Sequence, residues 1–214
     1  MQAKIIRSDK RKTVSVHVRS HTEVIVKAPA KFPAEKIKKL LKINMHWIKQ
    51  KQQAFLTRNA IKKADEFWFL GKTYQLELRP NQKQLIELED KLYLATMNKS
   101  SQITYLTSWY RQQARKIISE RVQLYAKQAK LSYHSVAITQ AETRWGSCSN
   151  KKTLNFNWKL VMAPLEVIDY VVTHELAHLT EMNHSGDFWE TVRKMYPLYR
   201  QYRTWLKRHG HLLN

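Results

Sequence analysis

A run of five residues holds two histidines and a glutamate at a spacing that suits metal chemistry. Residues 174–178 read His-Glu-Leu-Ala-His. Side chains four residues apart lie on one face of an α-helix, so His174 and His178 are expected to offer two imidazole nitrogens to one metal ion. Glu175 would then be close enough to act on a water molecule at that metal without itself being a ligand. The predicted chemistry is hydrolysis by metal-activated water, with Glu175 as the general base.

A third protein ligand is needed, because catalytic zinc sites use three and leave one position open. His184 is the nearest candidate, since the polar residues 180–183 are expected to end the helix and turn the chain back. Asn183 tolerates the left-handed conformation that such a turn often has. Glu190 and Asp187 remain alternatives, because other metal hydrolases take a carboxylate from further along the chain. The sequence therefore predicts a site for Zn²⁺ or for a similar divalent ion. Its third ligand is His184, Glu190 or Asp187.

The His-Glu-x-x-His pattern is that of the zincins, in which two histidines bind zinc and the glutamate is the base. The five residues between His178 and His184 also match the spacing of the metzincins. Metzincins carry glycine at the third position of that gap, where this chain has Glu181, and no Met-turn sequence is recognisable. An ordinary metzincin is therefore not expected.

A second segment with chemical potential is Thr-Arg-Trp-Gly-Ser-Cys-Ser at residues 143–149. Its small residues allow the backbone to approach a ligand closely, and Arg144 offers a planar fork for a carboxylate or phosphate. We expect the segment to line the cleft as an edge that holds extended substrate, with Arg144 steadying the oxyanion. The alternative is a tight turn packed by Trp145. Cys148 is expected to be a small buried residue, because activated water already supplies a nucleophile.

The elements predicted around these residues change character near residue 98. Before it, short strands are expected, together with a helix after Phe32 and a second one at Met45–Phe55. The predicted strands and hairpins are Lys4–Arg7, Thr13–Arg19, Glu23–Lys27, Phe67–Leu70 with Thr73–Leu78, and Gln84–Leu88 with Lys91–Ala95. After residue 98, apolar residues at 3- and 4-residue spacing predict a long helix over Ser101–Ala129. The elements predicted beyond it are strands at Ser135–Glu142 and Thr153–Phe156, a loop at Thr143–Lys152, and helices at Leu165–Thr180, Gly186–Met195 and Pro197–Arg208. The predicted domains are therefore residues 1–98 and 99–214.

The composition excludes several classes of protein. With 38 basic and 17 acidic residues, the formal net charge is +21. The lone cysteine excludes a disulfide framework and a cysteine-only zinc finger. No apolar run approaches the roughly 18 residues of a membrane span, and no secretory signal is visible, so a soluble cytoplasmic protein is expected. The charge predicts weak, salt-sensitive binding of nucleic acid through a basic surface formed by Lys36, Lys38, Lys39, Lys42, Lys49 and Lys51.

Motifs along nearly the whole chain resemble the YgjP-like metal-dependent hydrolases. The segments that carry the resemblance are residues 10–19, 24–29, 69–74, 142–149 and 170–189. The resemblance implies an α+β fold: a small β-rich N-terminal domain and a helical zincin-like metallopeptidase core with a short antiparallel sheet, related to the SprT-like proteases. It also implies that His174, His178 and His184 are the metal ligands and that Glu175 is the catalytic base.

The reaction stays open, because this family is described both as metallopeptidases and as UTP pyrophosphatases. Peptides and nucleotides are therefore both candidate substrates. The sequence lacks a carboxylate cluster for Mg²⁺ and a glycine-rich phosphate loop, which disfavours the nucleotide, whereas the charge of +21 favours it. A third hypothesis is a basic nucleic-acid-binding module with a relict metal site. The intact Glu175 speaks against it, since a structural zinc site needs no base.

Overall fold

The structure, a computed structural model, describes residues 3–52, 66–80, 82–95, 98–141 and 143–213. Helices and small sheets coexist in this part of the chain, which confirms the predicted α+β class. The chain forms two compact units, Met1–Ala64 and Asp65–Asn214. Phe55, at the end of a predicted helix, and Glu142, at the end of a predicted strand, lie outside the described residues.

The N-terminal unit contains the predicted three strands followed by helices. Its strands are β1 (Ala3–Ser8), β2 (Ser15–Val18) and β3 (Val24–Pro29), and its first helix is α1 (Ala34–Ile43). The central strand β3 pairs in parallel with β1 and antiparallel with β2. Residues 45–52 are also helical. Ile37 is buried against Val26 and Ala28, so the apolar face of α1 covers this sheet.

A basic surface is present on this unit. The lysines predicted to form it are all exposed, namely Lys36, Lys38, Lys39, Lys42, Lys49 and Lys51. Among the described residues, one ion pair partly neutralises these lysines. It joins Lys38 Nζ to Glu35 Oε1 at 2.8 Å. Weak binding of nucleic acid through this surface stays a prediction.

The two predicted hairpins join in one sheet. Its strands are β4 (Glu66–Phe69), β5 (Lys72–Leu78), β6 (Ile86–Leu88) and β7 (Leu92–Leu94), in the order β4-β5-β7-β6. Leu92 and Leu94 pack with Leu106 of the long helix that follows. This packing explains why the four-stranded sheet belongs to the same compact unit as the long helix, whereas the sequence places a boundary near residue 98. The domain limits 1–98 and 99–214 themselves stay a prediction.

The long helix is α2 (Lys99–Ala129), close to the predicted range. It begins two residues early because the Asn98 side chain accepts hydrogen bonds from the backbone N–H groups of Ser100 and Ser101. Its buried face follows the predicted spacing and consists of Leu106, Tyr110, Ala114, Ile118, Val122, Tyr125 and Ala126. Ile103 was predicted on this face but is 69% exposed, because the face begins one turn later.

A third sheet follows, formed by β8 (Ser135–Thr139), β9 (Gly146–Cys148) and β10 (Thr153–Asn157). The central strand β10 pairs in parallel with β8 and antiparallel with β9, so the sheet is mixed and not antiparallel as predicted. Strand β9 lies inside the segment that was predicted to be a loop. Its small residues give no alternation of apolar and polar side chains, so its strand conformation is set by pairing with β10.

The C-terminal helices are α3 (Leu165–Ala177), α4 (Gly186–Met195) and α5 (Tyr199–His209), and 3₁₀-helices precede and follow them at Trp158–Met162 and Gly210–Leu212. A bidentate ion pair joins α2 to α3: the Arg121 guanidinium lies 2.6 and 2.8 Å from the two carboxylate oxygens of Asp169. Asp169 is 5% exposed, so this pair fixes α3 from within the core. None of the helices in the described part of the chain has the length and apolar character needed to span a membrane.

The tip of the β4–β5 hairpin fixes the segment that leads into the N-terminus of α3. Leu70 and Gly71 have positive φ angles of 48° and 76°, and their N–H groups donate to the carbonyls of Val161 and Met162. A Cβ on Gly71 would lie 2.8 Å from the ring of Pro164, the residue that precedes α3. Glycine is therefore required here both by the left-handed conformation and by the close approach.

Candidate functional site

Helix α3 presents the His-Glu-Leu-Ala-His segment and ends within it. The helix was predicted to reach Thr180, but it ends at Ala177, and His178 is its C-cap. Tight turns follow, in which the N–H groups of Leu179 and Thr180 donate to carbonyls three residues earlier. Asn183 is not among the described residues with positive φ, so the chain turns back without the left-handed conformation that was expected there.

This turn brings three imidazoles together. His174, His178 and His184 each place one ring nitrogen so that the three atoms lie within 4.8 Å of one another, and no other such group of His, Cys, Asp and Glu occurs in the described part of the chain. The Nε2 atoms of His174 and His184 are 3.1 Å apart. Nitrogens bound to one tetrahedral zinc at about 2.0–2.1 Å would be about 3.4 Å apart. The cluster therefore has the size of a metal site.

The three rings are held by packing and by one hydrogen bond. Phe188 of α4 contacts all of them, with ring centroids 4.5 to 4.9 Å apart. His178 Nδ1 lies 3.0 Å from the Glu181 carbonyl and is placed to donate to it, which leaves Nε2 free to bind a metal. His174 Nδ1 is buried without a hydrogen-bond partner among the described residues, so packing and the contact of its Nε2 with His184 Nε2 orient that ring.

The charge state of the cluster also suits a cation. Burial, together with the neighbouring His178, His184 and Arg203, lowers the pKa of His174 to about 3. Burial likewise lowers the pKa of His184. A metal binds only the neutral form of imidazole, so the site keeps these side chains in the form that a metal needs. A donor set of three imidazole nitrogens fits a divalent ion such as Zn²⁺.

The carboxylates considered as third ligands lie outside this group. Glu190 Oε1 and Oε2 accept hydrogen bonds of 2.6 and 2.8 Å from the Arg193 guanidinium, and its side chain is half exposed. Asp187 is exposed in the first turn of α4. Of the three candidates, the structure therefore brings His184, and neither carboxylate, close to His174 and His178.

Glu175 lies beside the cluster and is deeply buried, with 4% of its surface exposed. Burial raises its pKa to about 8, and the positive charge of Arg144 opposes this rise. A carboxylate with a raised pKa is a stronger base near neutral pH. The environment of Glu175 thus matches what a general base requires.

Strand β9 forms one wall of this environment. Gly146 faces Glu175 so closely that a Cβ built on it would lie 2.5 Å from Glu175 Oε1 and 2.7 Å from its Cγ. Cys148 is on the same face of the strand, and burial together with the charge of Glu175 raises the pKa of its thiol. The thiol is therefore kept protonated, in agreement with the expectation that Cys148 is not a nucleophile.

We predict that Gly146→Ala displaces the Glu175 carboxylate and lowers hydrolysis by about 10- to 100-fold, because displacements of about 1 Å in an active site have effects of this size. The metal content should be unchanged, since no histidine moves. The matched control is Gly186→Ala, because a Cβ on Gly186 meets nothing within 4 Å. Full activity of Gly146→Ala, measured at full metal occupancy, would show that the close contact does not position Glu175.

Arg144 lies next to the site, at the start of β9. It is exposed, and it lines a pocket of about 210 Å³ together with Thr139, Ala141, Trp145, Gly146, Ser147 and Asn155. Ser147 and Asn155 are paired and point away from the face that carries Gly146. The pocket therefore opens on the outer side of the sheet, while the charge of Arg144 still acts on Glu175.

The buried Glu175 side chain predicts how the stability of the metal-free protein depends on pH. Because the folded pKa of Glu175 is about 8 and the ordinary value is 4.5, its stabilising effect is complete below pH 4.5 and is lost as the pH rises through 8. With chelator present, the melting temperature of the wild type should fall by several degrees between pH 6.5 and 9. Glu175→Gln should show a flatter profile, and Glu166→Gln, an exposed site on the same helix, should follow the wild type. Parallel profiles for all three proteins would contradict the buried acid.

Comparison with known families identifies the chain. The model of a family described as "YgjP-like, metallopeptidase domain" matches residues 12–209. The chain belongs to the YgjP-like family. The resemblance found in the sequence is thereby confirmed. Membership of this family supports a metal-dependent hydrolase that uses a divalent metal ion.

Solved structures offer weaker similarities. The metallopeptidase zymogen abylysin of Pyrococcus abyssi is 19% identical, with 42% of this chain and 93% of that chain covered and a TM-score of 0.39. The metallopeptidase zymogen jannalysin of Methanocaldococcus jannaschii is 21% identical, with 42% and 94% covered and a TM-score of 0.38. No curated protein matches the chain.

Sequence reasoning missed three residues of this site, namely Gly146, Trp189 and Arg203. The run of small residues at 146–149 was a signal that backbone approaches something closely, but it did not identify Glu175 as the neighbour. Trp189 contacts His174 and His184, with ring centroids 5.7 and 5.8 Å apart, and Arg203 lies over Trp189. Arg203 belongs to no motif, and Trp189 ends the segment 170–189 that carries the family resemblance, but nothing in the sequence signalled that either residue lies beside the histidines.

Proposed function

We propose that the chain is a zinc-dependent metallopeptidase. The observation that carries this proposal is the cluster of His174, His178 and His184 within 4.8 Å, beside the buried Glu175. These three histidines would hold the metal, which when bound polarises the scissile carbonyl and makes water more acidic. The peptide substrate is supported by the family, whose description is a metallopeptidase domain. The relation to the SprT-like proteases stays a prediction.

Glu175 would take a proton from the attacking water and later pass it to the leaving amine. Its raised pKa supports this role, because the carboxylate then holds the proton long enough to deliver it near neutral pH. Gly146 keeps the carboxylate from turning towards β9, since no space remains between them. Arg144 would steady the negative charge that develops on the substrate oxygen, and its charge already acts on Glu175.

Strand β9 would orient the peptide. It is an edge strand of its sheet in the order β8-β10-β9, so its outer side has no pairing strand among the described residues. An extended peptide can add to such an edge by backbone hydrogen bonds. Because Gly146 of this strand lies against Glu175, a peptide paired with β9 would pass beside the base.

A nucleoside triphosphate pyrophosphatase, with UTP as a substrate, is the second candidate. The observation in its favour is that Arg144 and Arg203 are exposed near the site, and neither forms an ion pair within the described part of the chain. Against it, the described residues contain no cluster of carboxylates that could hold Mg²⁺.

The experiment that separates these functions is an activity panel on the zinc-loaded protein. Peptides and nucleoside triphosphates are offered in parallel, and Glu175→Gln is the control for each. Peptide cleavage that depends on Glu175 supports the metallopeptidase. Release of pyrophosphate from a nucleoside triphosphate, without cleavage of any peptide, would overturn it in favour of the second candidate.

A further inference from the structure

A positively charged side chain, that of Arg203, lies near the three histidines and is separated from them by one aromatic ring. The Arg203 guanidinium of α5 lies over the Trp189 ring, 4.4 Å from its centroid. The Trp189 ring is in turn stacked on His184, with centroids 5.8 Å apart and an interplanar angle of 29°, and it also contacts His174 at 5.7 Å. Arg203 and His184 therefore both contact the Trp189 ring, which links the guanidinium to the three histidines.

The stack holds Arg203 in place without neutralising it. Trp189 is also stacked on Tyr199 at 5.5 Å and 18°, so its ring is fixed from a second side. Arg203 is exposed and has neither an ion pair nor a hydrogen bond with the described residues. By contrast, Arg193 is paired with Glu190, and Arg200 donates to the Tyr199 hydroxyl. The Arg203 guanidinium is thus held in position by the Trp189 ring, while its N–H groups remain available to bind a ligand.

The charge of Arg203 acts on the side of the cluster that a substrate must approach. His184 is the exposed member of the three histidines, whereas His174 and His178 are partly buried. A negative group on an approaching substrate would therefore meet a favourable potential at this position.

We propose that Arg203 is a specificity-determining residue that binds a carboxylate of the peptide substrate close to the scissile bond. This inference rests on the proposed metallopeptidase function. The planar guanidinium fork matches a carboxylate, and stacking on Trp189 presents it in a fixed plane. An extended peptide advances about 3.4 Å per residue, so a carboxylate within about three residues of the cleaved bond can reach Arg203.

Two sources of that carboxylate share this chemistry, an Asp or Glu side chain and the C-terminus of a short peptide. The test uses the zinc-loaded full chain and a mixed peptide library, with cleavage sites read by mass spectrometry. Matched peptides built on a cleaved sequence then carry Glu, Gln or Lys at each of the three positions on either side of the bond. Each is made with a free and with an amidated C-terminus, and kcat/KM is measured for all.

For the wild type we expect kcat/KM to be about tenfold higher with the carboxylate than without it, an effect reduced from that of a buried pair because Arg203 is exposed. Arg203→Gln should abolish the preference, and Arg203→Glu should reverse it in favour of Lys. Arg208→Gln is the matched control, since this exposed arginine lies on another face of α5. The metal content and the circular dichroism spectrum of Arg203→Gln are compared with those of the wild type, which separates loss of carboxylate binding from a loss of structure.

The outcomes distinguish this inference from the function on which it rests. A preference that follows the Glu side chain, or one that disappears only on amidation, supports the proposal and identifies the source of the carboxylate. Equal cleavage of Glu, Gln and Lys peptides, free and amidated, overturns the role of Arg203 and leaves the metallopeptidase intact. Failure to cleave any library peptide overturns both. A preference that persists unchanged in Arg203→Glu overturns the assignment to Arg203 alone.

Discussion

Replacing Glu175 with Gln is expected to lower hydrolysis by about 10²- to 10⁴-fold, the usual effect of removing a general base. The glutamine keeps the size and most of the hydrogen bonding of Glu175, so it fits against Gly146, but it cannot accept the proton of the attacking water. No histidine is changed, and the protein should keep its fold and its metal. The measurement is kcat on the best substrate of the activity panel, at a metal content confirmed by mass spectrometry.

Glu166→Gln serves as the control for this variant, because Glu166 is an exposed glutamate on the same helix. It should retain wild-type turnover. The expected loss does not depend on whether the substrate is a peptide or a nucleotide, since both reactions need the proton removed from water. Near wild-type turnover of Glu175→Gln at full metal occupancy would rule out the proposed mechanism and assign the chemistry to other residues.

Replacing any one of His174, His178 and His184 with Ala is expected to reduce the bound metal from about one ion per chain to a small fraction. Each residue supplies one of three nitrogens within 4.8 Å, and loss of a ligand should weaken affinity by more than the 10- to 100-fold seen for residues that merely orient a ligand. The metal content after dialysis is measured by mass spectrometry, and circular dichroism verifies that each variant is folded.

Glu190→Ala and Asp187→Ala are the controls for the third ligand. Glu190 is engaged with Arg193, and Asp187 is exposed at the start of α4, so both variants should keep the full metal content. Loss of metal from Glu190→Ala, with His184→Ala unaffected, would mean that the third ligand is the carboxylate and that the cluster rearranges when the metal binds.

Much of this site could be predicted from the sequence because its geometry is local. His174, Glu175 and His178 lie within five residues, and the helical repeat alone brings the two imidazoles to one face. His184 follows after a short polar turn, and because the connection is short, the chain has few conformations available between His178 and His184. The long helix α2 was predictable for a related reason, since its buried face repeats along one continuous stretch of sequence.

Only the tertiary structure decided what surrounds these residues, because the contacts join segments far apart in the chain. Gly146 meets Glu175 across 29 residues of sequence, and no periodic pattern records which strand lies against which helix. The pairing of β9 with β10 likewise depends on a partner and not on the residues of β9 themselves. Arg203 reaches the site only through Trp189 and the packing of α5. The sequence by itself therefore indicated the three histidines and the proposed base, whereas packing between distant segments decided how Glu175 is held and placed Arg203 over Trp189 beside the histidines.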